Sequence, residues 1–214
     1  MMNRIQNEHI FTQLVSTHYL PDIFMKPYFV IFYLLTGLLT TLPASATSVL
    51  PITLEQLSTR ASLIFYGEVI SNQAQRDAHS GQVATFTEFK IYDLIKGSAT
   101  GNHTIKQLGG LDKNTNINFH VHGIPKFQNG SRYVVFLPEK SSLGFSSPLG
   151  LHQGSFTVTT ENGDQVVSNG RNLTQQKPVS LNKSVLLPLP VNIDKPSQSR
   201  LDDFINTVRA YNTP

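Results

Sequence analysis

Hydrophobic and polar positions change rhythm repeatedly along this chain. From Pro27 to Leu54 no charged residue occurs, and an apolar run at 28–35 continues through Gly37, Leu38 and Leu39. Ser62 to Ile70 is dense in β-branched and aromatic residues and predicts a strand. Gly67 inside it signals a bulge or a close backbone approach. Val83 to Ile95 alternates. Phe86, Glu88, Lys90 and Tyr92 share one face, and Thr85, Thr87, Phe89, Ile91 and Asp93 the other. Aromatics on both faces predict a long strand that is bent or buried on both sides. A further strand is expected at 102–108, closed by Gly109-Gly110. The run Arg132 to Leu137 predicts a central strand, stopped by Pro138. Segments 155–160 and 165–168 flank Asn162-Gly163, the signature of a tight hairpin. Near the end, Leu201, Phe204, Ile205 and Val208 follow the i, i+3, i+4, i+7 spacing of a helix with one buried face. Phe65, Val69, Phe86, Ile91, Ile105, Val134, Phe136 and Phe156 are expected in one core, with Leu201, Phe204 and Val208 packed on it.

Other segments read as connections. Thr53-Leu54-Glu55-Gln56 has the form of a capping box, with Ile52 and Leu57 at the staple positions, so a short helix is expected at 53–60. Residues 71–82 and 111–130 read as polar loops. Residues 170–198 carry Pro178, Pro188, Pro190 and Pro196 and read as an extended strap or linker.

The charge-free run near the start is preceded by Lys26 and followed by Ala44-Ser45-Ala46. A cation, a short apolar core and a small-residue cleavage pattern predict a secretory signal at 1–46, removed after Ala46. Met25-Lys26-Pro27 would itself make a normal signal start, so translation is expected to begin at Met25. The alternative is an uncleaved anchor, against which stands a core of about twelve residues where a membrane span needs roughly twenty. The chain then divides into a β-barrel domain at 47–169, the strap at 170–198 and a C-terminal amphipathic helix at 199–211. Strands between two helices, without βαβ alternation, predict a mainly β fold: a small antiparallel, OB-like barrel, with a β-sandwich as the alternative.

Composition narrows the chemistry. Of 214 residues only 14% are charged, against roughly 25% in ordinary soluble domains. The net charge of +3 is therefore a small surplus among few charges, and it describes no basic stripe for nucleic acid. The absence of cysteine excludes disulfides, thiolate metal sites and thiol nucleophiles in this chain.

Four segments in order carry a resemblance: 63–69 (LIFYGEV), 94–97 (LIKG), 105–110 (IKQLGG), and 123–127 (GIPKF) with 130–137 (GSRYVVFL). Together they resemble a family of exported, uncharacterised bacterial proteins over about residues 53–160. That resemblance implies export and no particular activity. The order of strand, long strand, Lys-Gly, strand and Gly-preceded apolar strand is also similar to netrin-like domains, the OB-type fold of tissue metalloprotease inhibitors. Those inhibitors chelate zinc through an N-terminal cysteine. The similarity implies the fold and not that mechanism.

Candidate chemistry is sparse. No G-x-S-x-G elbow and no H-E-x-x-H motif occurs. His120 and His122 at i and i+2 would share a strand face and could bind one ion, with His103 or His152 completing the set. The acidic pair Asp202-Asp203 is explained by the helix dipole. Gly109-Gly110 lacks the lysine and helix of a phosphate loop and reads as a turn needing positive φ. The segments 107–110 and 123–127 flank the loop that presents Asn114, Asn116, Asn118, His120 and His122. A polar, uncharged loop suits hydrogen-bonded recognition of a protein or glycan. Phosphate would call for Lys or Arg. The sequence therefore points to an exported, non-catalytic module that needs no cofactor and binds an envelope or extracellular partner. The alternative is a metal-dependent enzyme or metal-binding factor built around His120 and His122.

Overall fold

Thr53 opens the fold with both halves of a capping box. Its hydroxyl accepts from the Gln56 amide, and the Gln56 side chain accepts from the Thr53 amide, each at 3.1 Å. Helix α1 (Leu54–Arg60) follows and buries Leu54 and Leu57. The computed structural model describes residues 50–173, 189–190 and 194–213, all within the unit Ser48–Pro214. The expected leader and its cleavage point at Ala46 lie outside the described residues, as does most of the strap.

The strands are β1 (Leu63–Arg76), β2 (Val83–Lys96), β3 (Asn102–Leu108), β4 (Gly110–Asp112), β5 (Ile117–Phe119), β6 (Arg132–Leu137), β7 (Ser155–Glu161), β8 (Asp164–Ser168) and β9 (Ser199–Arg200). Helix α2 (Leu201–Asn212) ends the fold. Seven strands form one antiparallel sheet in the order β3-β2-β1-β6-β7-β8-β9, and β4 with β5 forms a separate hairpin. The mainly β, antiparallel class with a helix near each end is as the sequence predicts. The central position of β6 also holds.

The sheet is not closed into a barrel. Among the described residues β3 and β9 are its two edges. Closure would need a long pairing between them, and β9 has only two residues. The outer side of β3 instead receives the Ser146 amide at the Lys106 carbonyl, 2.9 Å away.

Both faces of the sheet are buried, and each has its own core. On one side Ile64, Val134, Phe136, Phe156 and Val167 pack under Leu57 of α1 and Leu201, Phe204 and Val208 of α2. On the other side Phe65, Val69, Phe89, Ile105, Val135 and Leu137 pack with Phe127. A single shared core, the simplest expectation from the apolar positions, is thus replaced by two. The cause lies in β1 and β6, where successive residues alternate in direction and every one of 63–67 and 133–137 is buried. Phe86 and Ile91, expected in the core, are only partly buried.

The register between β1 and β2 shifts at three places, passing over Ile70, Tyr92 and Ile95. Each shift is a bulge that bends the pair and flips the following side chains. Gly67 sits at one of them, where a Cβ would lie 2.6 Å from the Lys90 carbonyl oxygen. Its place in the sequence reflects close approach, as expected.

Two predicted loops contain structure. Residues 71–76 continue β1 and pair with 83–88 despite their polarity, because the ladder is satisfied by backbone groups whatever the side chains. The loop at 111–130 contains most of the β4–β5 hairpin. Near the end, Ser199 and Arg200 pair with β8 before the helix begins, so α2 starts two residues later than the sequence suggests.

Candidate functional site

The face that carries Phe65 and Phe89 becomes polar toward its far end. There Asn72 stands opposite Thr87 and Thr87 opposite Ile105. One row further, Ala74 stands opposite Thr85 and Thr85 opposite Gln107. The sheet thus supplies a floor of amides and hydroxyls on three neighbouring strands.

Two segments wall this floor. Gly109 and Gly110, with φ of 102° and 131°, turn the chain sharply out of β3. A Cβ on Gly109 would meet the Phe119 carbonyl at 2.7 Å, and one on Gly110 would meet Ala74 and Thr85 at 2.6 Å. The glycines therefore let the β4–β5 hairpin sit against the ends of β1 and β2, where Arg76 and Asp112 pair at 2.8 Å. The Asn114 amide, and then Arg76, hold the buried Asp112 carboxyl below its ordinary range. On the other side, the Asn72 amide nitrogen donates to the Phe127 carbonyl at 2.6 Å and fixes the segment 124–127. Between these walls lies a groove of about 440 Å³. That volume falls within the ~300–1,000 Å³ usual for small-molecule sites.

The motif segments 107–110 and 124–127 both line this groove. Of the predicted partner-binding residues, it gathers two, Asn118 and His120. Asn114 and Asn116 lie at the hairpin tip, exposed. Asn116 adopts a left-handed φ of 53°, a turn conformation that asparagine tolerates. His122 lies in the following turn, exposed and outside the groove.

The strand premise behind the paired imidazoles does not hold, because β5 ends at Phe119 and neither His120 nor His122 is in a strand. His103 lies on β3 and His152 in a 3-10 turn (Leu151–Gly154). Among the described residues no three His, Cys, Asp or Glu side chains come together in a way that could hold a metal ion.

Asn72, Thr87 and Phe119 are groove residues that sequence reasoning missed, and Gln107 reads in the sequence only as the end of a strand flanking the loop. Their signal was present but ambiguous. Thr85 and Thr87 share a face with Phe89, so a polar end to a buried face was legible. Asn72 was hidden by the reading of 71–82 as a loop.

Outside the groove, the exposed Tyr92 donates its hydroxyl to Glu68 at 2.6 Å, and Arg132 lies 5.7 Å over the Tyr92 ring. The Tyr92 hydroxyl, and then Arg132, lower the Glu68 carboxyl below its usual range. This cluster is internally paired. Among the described residues no helix is long and apolar enough to cross a membrane. No family model matches the chain, and no curated protein matches it.

Proposed function

We propose that this protein is an exported, non-catalytic β-module that binds a protein or glycan partner in the envelope or outside the cell, and that the groove over β1, β2 and β3 is where it binds. Export is supported by Lys26, the apolar run and Ala44-Ser45-Ala46, and by the resemblance to an exported bacterial family. One observation carries the binding reading: a groove lined by the uncharged side-chain amides of Gln107, Asn118 and Gln128, while Asn72, Thr85 and Thr87 beneath them are bonded to Phe127, Gly109 and one another. Among the described residues no Asp, Glu or Arg lines it, and Lys126 and His120 are its only basic residues, both exposed. Such a site can recognise a partner by shape and hydrogen bonds.

The test places charge at the groove mouth. Asn118→Asp with His120→Glu alters two exposed positions, so unfolding should change by no more than about 0.5 kcal/mol. Tagged chains, wild type and variant, are recovered from their own envelope fraction after cross-linking. Partner recovery by the wild type and its loss in the variant supports the reading. Equal recovery by both moves the binding surface elsewhere.

A further inference from the structure

We infer that the ligand of this groove is a neutral sugar chain, stacked on Phe119 and hydrogen-bonded to the side-chain amide of Gln107; this rests on the groove being the binding site. Two independent observations point to it. Gln107 is 3% exposed, yet among the described residues its side chain makes a single hydrogen bond, a long one of 3.4 Å from Nε2 to the Pro125 carbonyl. A glutamine amide has two donors and an acceptor with two lone pairs. Gln107 lines the groove, so the rest of this capacity is open to something that enters it. Phe119 is the second observation. It is 46% exposed on the wall between this groove and a second hollow lined by Arg76, Val83 and Ile117, and it pairs with no other ring among the described residues. By contrast Phe127, on the other wall, is spent in the core, edge-on to Phe89 and Tyr133 at 5.0 Å each.

A half-exposed ring beside the side-chain amides of Gln107, Asn118 and Gln128 is the chemistry a sugar needs. The C–H face of a pyranose packs on the ring, and its hydroxyls, each donor and acceptor, match amides that also do both. Neutrality follows from the groove's residues. An acidic sugar or a phosphate would call for an arginine or a cluster of lysines, and Lys126 stands alone. A peptide is recognised by an open strand edge or by pockets for large apolar anchors. The floor here is a sheet face, and its inward groups are Asn72, Thr87 and Gln107.

The full chain, purified as the expressing cell processes it, is titrated calorimetrically with short β-linked glucose and N-acetylglucosamine oligosaccharides. Binding by one of these neutral series is expected. Phe119→Ala should weaken it about tenfold, the loss of one stacking contact, while Phe119→Trp should preserve it. Tyr92→Ala, outside the groove, should leave it unchanged. If no neutral oligosaccharide binds, or if binding survives both Phe119→Ala and the charged groove-mouth pair, the sugar assignment is wrong. If the envelope partner proves to be a protein whose capture the groove-mouth pair abolishes, the sugar is overturned and the groove stands as the binding site. Failure of both experiments removes the groove itself.

Discussion

His103 shows how much one side chain can carry. It sits half-buried on edge strand β3, with its ring 5.7 Å from Phe65. Its Nε2 is buried without a hydrogen-bond partner among the described residues. Burial, and then the Lys140 ammonium, push its basicity below the ordinary value of 6.5. The unfolded chain therefore takes up a proton at a pH where the folded chain resists it. Stability is full above about pH 6.5 and falls as the pH drops through the unfolded value toward the lower folded one. Melting temperature measured from pH 8 to pH 5 should decline over that range. In His103→Leu this part of the decline should vanish. An unchanged profile in the variant would assign the acid sensitivity to another group.

At the scale of elements, the β1–β2 turn is tied down by a lock that joins three parts of the chain. Lys106 of β3 donates to Asp77 at 2.6 Å and to the Leu143 carbonyl at 2.7 Å, and its ammonium lies 4.4 Å over the Phe145 ring. Ser80 donates to the same carboxylate through both its amide and its hydroxyl. Lys106, then Ser80, pull the Asp77 carboxyl down from 3.8 to about 2. A depressed acid stabilises the fold above its unfolded value, and the contribution is lost as the pH falls through the folded one. Asp77→Asn should lower the melting temperature at neutral pH. The gap from wild type should close between about pH 4 and pH 2. Hydrogen exchange at 77–82 should quicken in the variant, which would place the loss in this turn.

For the whole molecule, the double-faced sheet couples the two cores. β1 and β6 each send alternate residues into both, so neither layer can open while the other keeps its strands. Phe136 belongs to the helical side, edge-on to Phe204, and Phe65 to the other, edge-on to Phe89. Phe136→Ala and Phe65→Ala should each cost about 3–5 kcal/mol, the range for emptying a fully buried aromatic site. Both should shift one cooperative transition, seen alike by far-ultraviolet dichroism and tyrosine fluorescence. Two separated transitions in either variant would show that the layers unfold independently.

The sequence by itself determined what depends on neighbours along the chain. Thr53 and Gln56 specify a helix start through bonds three residues apart. Asn162-Gly163 specifies a hairpin because both residues adopt left-handed backbone, at φ of 51° and 90°. The stripe from Leu201 to Val208 specifies the buried face of α2. The groove is legible in part, since the glycines of 107–110 and the segment 123–127 stand out in the sequence on either side of one loop. Tertiary structure decided the rest. Whether the sheet closes depends on edge strands far apart in sequence. Whether apolar residues form one core or two depends on what covers each face of β1 and β6. Asn72, Thr87, Gln107 and Phe119 become one site only when three strands align in register and the 109–128 segment folds back over them. Periodicity fixes the direction of each side chain relative to its own strand. Only packing fixes what it meets.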